Sequence, residues 1–211
     1  MRSAENEKRP QIQAGYTVEP SIGKSVLPAG TEELRLRVQQ RSLREQLEHH
    51  HFLLARLNTA SALLIESLDQ GDVFETIGEI VATLIGSEEV AIFNYSPSQE
   101  TFSLAWSTGI EASALQPFES GAGMFGRAVH QGMSQFKERQ PIAILLPWER
   151  DLTACVILKS SAGLVGVIAI FGLLPEKSSL EWVDYELLKF LETYAAVAIQ
   201  FQKLQRKLAA Q

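Results

Sequence analysis

Leu152-Thr-Ala-Cys-Val-Ile-Leu-Lys159 and Leu164-Val-Gly-Val-Ile-Ala-Ile-Phe171 flank the turn sequence Ser160-Ser-Ala-Gly163. Both runs are rich in β-branched residues and nearly continuous in apolar character, the pattern of paired strands covered on both faces. Upstream, Val90–Tyr95 and Thr101–Ser107 read as a second hairpin around Ser96-Pro-Ser-Gln-Glu100, with Phe102, Leu104 and Trp106 sharing one face of its second strand. A loop from Thr108 to Ala122 leads to a short helix over Gly123–His130, and Met133–Glu138 and Ile142–Leu146 are expected to be two further strands. Helices bracket these strands. Asp72-Val-Phe-Glu75 resembles a capping pattern, after which Val73, Ile77, Ile80, Val81 and Leu84 recur at helical spacing to a stop near Gly86. A closing helix opens at Ser178 or Ser179 and runs to about Leu208. The fold class is therefore α+β: a central antiparallel sheet of five or six strands with helices on one side, preceded by a long coiled-coil helix.

That long helix opens at Thr31-Glu-Glu-Leu34, where Thr is a fair N-cap and acidic residues suit the first turn. Alternating steps of three and four then pick out Leu36, Gln40, Leu43, Leu47, His50, Leu54, Leu57, Ser61, Leu64 and Leu68, with no Gly or Pro between Thr31 and Gln70. This is a heptad seam, and its polar members Gln40, His50 and Ser61 fix register at a cost in stability. A lone amphipathic helix packed on its own domain is the alternative, but one this long leaves its apolar stripe wet. In the closing helix Leu187, Leu191, Tyr194, Ala198, Phe201 and Leu208 repeat the spacing. A homodimer is expected, with Leu36, Leu43, Leu47, His50, Leu54 and Leu57 of the first helix and Leu191, Tyr194, Ala198 and Phe201 of the last at the interface. The expected organisation is a flexible leader over 1–30, a coiled-coil signalling helix over 31–70, a sheet domain over 71–202 and the end of the last helix over 203–211.

The chain has 211 residues, 45% hydrophobic and 21% charged, which excludes wholesale disorder and fibrous repeats. No apolar run is long enough to span a bilayer, and the first ten residues lack a secretory core, so a cytoplasmic protein with no membrane insertion is expected. The single Cys155 excludes a disulfide framework and a cysteine-rich zinc site. Residues 69–183 carry fourteen acidic and six basic groups, a net of −8. Such a region repels phosphate backbones, so no direct nucleic-acid partner is expected.

Three blocks resemble the GAF domain family: Gly121-Ala-Gly-Met-Phe-Gly-Arg-Ala-Val-His-Gln-Gly132, Leu164-Val-Gly-Val-Ile-Ala-Ile-Phe171, and the stretch from Leu180 to Ile199. In order and spacing they cover roughly Leu57 to Gln202. The resemblance implies a sensing or regulatory module that takes a cyclic nucleotide, tetrapyrrole, metabolite or redox centre, although function does not follow from such a superfold. The family's Asn-Lys-Phe-Asp-Glu signature for cyclic nucleotides is missing, as are the Cys-His pair of bilin binders and the several cysteines of its methionine sulfoxide reductases. No enzyme activity and no cofactor are indicated. Only about fifteen residues separate the strand near Phe136 from that at Leu152, which implies a short lid over a small or open pocket.

Sharper readings meet blander ones. Gly121-x-Gly123-x-x-Gly126 matches a dinucleotide fingerprint in form, but it follows a loop with Pro117 and Glu119 rather than a parallel strand. Its glycines are better suited to a tight approach of loop to sheet, and the helix N-terminus with Arg127 one turn in is a candidate for a small anion. His49-His50-His51 cannot converge on one metal ion, since neighbours on a helix point ~100° apart. Cys155 reads as an inert strand thiol. Trp106, Phe118, Phe125 and Trp148 are candidates to line a ligand pocket with Arg127, and equally candidates for plain core. The expected function is a dimeric, non-enzymatic regulatory module that signals to a separate output protein. The competing expectation is a ligand-free adaptor built for protein–protein interaction.

Overall fold

The computed structural model describes residues 29–70, 72–115, 118–119, 123–138, 147–149 and 151–209. Of the leader expected over 1–30, residues 1–28 lie outside the described residues and 29–30 already belong to the first helix; the strand expected over 142–146 also lies outside them. The chain divides into two units, Met1–Glu45 and Gln46–Gln211. In the first, the described part is helical, carries exposed Leu34, Leu36, Val38 and Leu43, and has two i,i+4 ion pairs, Arg37 to Glu33 at 2.7 Å and Arg41 to Glu45 at 3.1 Å. These residues belong to helix α1, which runs Ala29–Gln70.

The second unit holds the sheet. Its elements after α1 are α2 (Val73–Ile80), β1 (Val90–Ser96), β2 (Thr101–Thr108), β3 (Phe118–Glu119), α3 (Gly123–Gln131), β4 (Gln135–Phe136), β5 (Ala154–Ser160), β6 (Gly163–Ile170) and α4 (Trp182–Ala209). Six antiparallel strands pair in the order β3-β2-β1-β6-β5-β4. The two expected hairpins form the middle of the sheet, while β3 falls inside a segment expected to be loop. Asp72 caps α2 by accepting from the Phe74 amide at 2.9 Å, as its sequence suggests. The helix then loosens into one π-turn, Val81–Ile85, and stops at Gly86, whose φ of +81° suits a residue without Cβ.

Both sheet faces are covered. On one, Val90, Ile92, Val156, Ile168 and Ile170 meet Ile77 and Ile80 of α2, Leu187, Leu188 and Leu191 of α4, and Ala60 and Leu64 of α1. On the other, Phe93, Phe102, Cys155, Ile157 and Val167 meet Met124, Phe125 and Ala128 of α3. Helices α1, α2 and α4 thus share one face, and α3 serves the opposite one.

Helix α4 starts at Trp182, beyond the expected Ser178 or Ser179. Buried Asp184 decides this. One of its oxygens accepts from the Glu181 amide at 2.7 Å while the Asp184 amide donates to the Glu181 carbonyl at 3.0 Å, a reciprocal cap. The same carboxylate pairs with Lys177 at 2.6 Å and with Arg56 of α1 at 3.4 Å. Lys177 also donates to the Ile85 carbonyl at 2.5 Å, at the end of the π-turn. Asp184→Asn keeps the shape but removes the charge that these two cations share. It is expected to cost about 2–3 kcal/mol and lower the melting temperature by roughly 5–10 °C, read by calorimetry beside the wild type.

Candidate functional site

The four aromatic positions singled out above do not form one site. Phe125 sits on α3 and is fully buried, in edge contact with Phe102 (centroids 4.7 Å, 90°) and Phe93 (5.4 Å, 85°). Trp148, on the short turn Pro147–Glu149, closes over the same rings, 5.9 Å from Phe125, 6.2 Å from Phe93 and 6.1 Å from Phe171. Phe118 pairs through its main chain with Phe102 in the β2–β3 ladder, and its side chain lies outside the described residues. Trp106 corrects the reading: it packs on the opposite sheet face, among α2 and its neighbours.

A β-bulge moves it there. Ile92 pairs with Trp106 but Phe93 pairs with Leu104, so Ala105 is an extra residue. One inserted residue reverses the alternation of side chains along a strand. Phe102 and Leu104 therefore stay with the α3 layer, whereas Trp106 turns to the other side and lies against Gly78 of α2, where a Cβ would overlap the indole. The expectation that Phe102, Leu104 and Trp106 share one face fails at that bulge.

The anion site suggested for the α3 N-terminus also exists, and the chain supplies the anion itself. Glu149, fully buried, accepts from the Met124 amide at 3.1 Å through Oε2 and from the Phe125 amide at 2.8 Å through Oε1. A carboxylate aimed at the first turn meets both the free amides and the positive end of the helix dipole. Gly123, at φ +72°, is required beside it, because a Cβ there would overlap the carboxylate. Arg127 lies further along α3, half-buried. No sequence motif announced Glu149, since it sits 25 positions from Met124 in a turn of three residues.

Cys155 is buried in β5, and burial first, with the Glu149 carboxylate second, pushes its thiol well above the ordinary range. That environment suppresses the thiolate on which nucleophilic or redox use depends. Among the described residues no group of three or more His, Cys, Asp or Glu side chains is placed to hold a metal ion. His50 instead lies 5.7 Å from the Trp182 ring, and its Nδ1 is 2.7 Å from the Gln46 carbonyl.

The expected interface residues separate into two sets. Leu36, Leu43, Leu47, His50, Leu54, Tyr194 and Phe201 are exposed, whereas Leu191 and Ala198 are buried in the chain's own core and Leu57 is partly buried against it. The exposed stripe of α4 is Phe190, Tyr194, Val197, Phe201, Leu204 and Leu208, with Phe190 half-covered, at steps of four, three, four, three and four. Between it and α1 runs an apolar groove of about 240 Å³ lined by Leu64, Ile65, Leu68, Phe190, Tyr194 and Val197, among others.

No family model and no curated protein sequence matches the chain. Solved structures do. The GAF domain of a phosphoenolpyruvate-protein phosphotransferase from Coxiella burnetii is similar at 13% identity and TM-score 0.57, over 74% of this chain and 96% of that one. The GAF domain/HD domain protein from Geobacter sulfurreducens is similar at 16% identity and TM-score 0.52, over 69% and 98%. Free methionine-R-sulfoxide reductase from Neisseria meningitidis is similar at 14% identity and TM-score 0.53, over 69% and 89%. At these identities the likeness is one of fold: this chain has the GAF-type α+β architecture.

Two outcomes test the reading of the α3 face. Glu149→Gln leaves one of the two amides without an acceptor and weakens the charge–dipole contact, and is expected to cost about 2 kcal/mol in urea unfolding, with faster hydrogen exchange at Met124 and Phe125. Cys155 is expected to resist iodoacetamide at pH 8 in the folded protein and to react promptly in denaturant. Prompt labelling of the native chain would contradict the inert assignment.

Proposed function

We propose that this protein is a dimeric, non-enzymatic regulatory module of a cytoplasmic signalling system. Its GAF-type domain responds to a small molecule or a partner protein, and the response leaves through α1 and α4 to a separate output protein. Candidate ligand contacts are Phe125, Arg127 and Trp148 on the α3 face together with Phe118 of β3, and the dimer is held by exposed positions of α1 and α4. The observation that supports this reading is the fastening of both helices at Asp184, which joins Arg56 of α1, the cap of α4, and Lys177 in the segment after β6. A shift in the sheet or that segment changes the footing of both helices at once. Coupling of this kind needs two packings whose populations a ligand biases.

The ligand-free adaptor has one observation of its own: the α3 amides, where an anionic group would be received, already hold Glu149. Native mass spectrometry of freshly purified protein, repeated under denaturing conditions, separates the two. A dimer carrying extra mass that is lost on denaturation is the expected result for a sensor, and the mass gives the ligand's class. A dimer of bare chains favours the adaptor. A monomer at micromolar concentration refutes the dimeric module in either form.

A further inference from the structure

The two edges of the sheet are finished differently. At the β5 edge, β4 pairs with Ala154 and Cys155, the Ser134 hydroxyl accepts from the Ile157 amide at 3.0 Å, and Lys159 stands beyond them with its ammonium on the Gly132 carbonyl. An edge that is paired, capped and lysine-bearing resists the addition of another strand. At the β2 edge, β3 pairs only with Thr101 and Phe102. Among the described residues, Ser103–Thr108 lie against β1 on one side and make no main-chain hydrogen bond on the other. Ser103 and Ala105 are exposed, Leu104 and Trp106 are half-buried, and no Lys or Pro guards the run. Only the bulge at Ala105 interrupts it.

Charge selects what such an edge accepts. Residues 57–126 contain ten Asp and Glu and no Lys, Arg or His. Glu75 and Glu79 are exposed on α2, the helix whose Gly78 meets Trp106, and Glu88 lies beside Gly109, just past the Thr108 end of the strand. Glu100 precedes Thr101 in the hairpin turn, and Glu111 follows Thr108 by three positions; both are exposed. Among the described residues none of these five is in an ion pair. We propose that the β2 edge binds an extended, basic segment of a partner protein by adding it to the sheet as a further strand. The open main-chain groups of Ser103–Thr108 hold the segment, on either side of the bulge at Ala105. Its lysines or arginines lie among the carboxylates, and its alternate apolar side chains extend the layers in which Leu104 and Trp106 stand. A second copy of this chain is a poor occupant, because two such edges joined together set one acidic rim against another. The site gives a chemistry to the separate partner of the regulatory reading, on which it rests, and it needs neither the dimer nor a small-molecule ligand.

The probe is a fluorescein-labelled octapeptide alternating lysine and valine, added to the full chain at physiological ionic strength, where attraction between distant surface charges is screened. Saturable binding is expected, with slower amide hydrogen exchange over Ser103–Thr108. The same peptide with its amide nitrogens methylated keeps its charges and loses its main-chain donors, and is expected to bind about tenfold more weakly or worse. The double variant Glu79→Lys, Glu88→Lys, at two exposed positions, is expected to lose about tenfold in affinity for the unmethylated peptide without a change in melting temperature. Absence of binding, equal binding of the methylated peptide, equal binding of a glutamate–valine peptide, or protection that falls outside β2 overturns the proposal. Each of those results leaves the regulatory reading standing, since native mass spectrometry decides that one without the peptide.

Discussion

A carboxylate taken out of water costs several kcal/mol unless cations and hydrogen bonds replace its shell, and Asp184 meets that condition from three directions. Arg56 reaches it from α1, Lys177 from the segment after β6, and the Glu181 amide from the turn that opens α4. Lys177 and Glu181 lie close to Asp184 in sequence, whereas Arg56 comes from 128 positions earlier, so the shell around the charge is complete only when α1 and α4 are packed together. The carboxylate therefore ties the tertiary arrangement to itself. It also sets the starting point of α4, which in turn decides which side of that helix faces the core and which is left outside.

The sheet shows a related economy. Two bulges, at Ala105 in β2 and at Val165 in β6, each shift the alternation by one residue. The first sends Trp106 to the helix face while Phe102 and Leu104 remain with α3. The second sends Val165 to the helix face and Leu164 to the α3 side. The α3 layer is consequently aromatic, built from Phe93, Phe102 and Phe125, with rings in edge contacts worth about 0.5–1.5 kcal/mol per pair beyond their burial. The opposite layer is aliphatic, with Trp106 as its large ring.

The hairpins, the capped α2, the short α3 and the closing helix could all be read from apolar runs and turn residues, because each of those signals is local. The bulge at Ala105 could not, since alternation in the sequence 102–106 is unbroken and only the register against β1 shows the extra residue. On α4 two stripes with the same three-four spacing lie side by side, Leu187, Leu191 and Ala198 inward and Phe190, Val197 and Leu204 outward. Periodicity alone cannot separate them, and the expected interface mixed the two. Glu149 was illegible for a different reason: its role is set by a meeting between a three-residue turn and a helix 25 positions earlier.

The contact between Trp106 and Gly78 has a consequence for how this chain can change over generations. The indole lies against the bare backbone of α2, so the space that a side chain at position 78 would need is already taken. Drift to alanine or larger at that helix position becomes tolerable only after the ring at 106 has shrunk, and a shrunken ring leaves a hole that a larger residue at 78 then fills. The two sites are expected to trade volume across diverging sequences, with Trp106 replaced first and Gly78 after it.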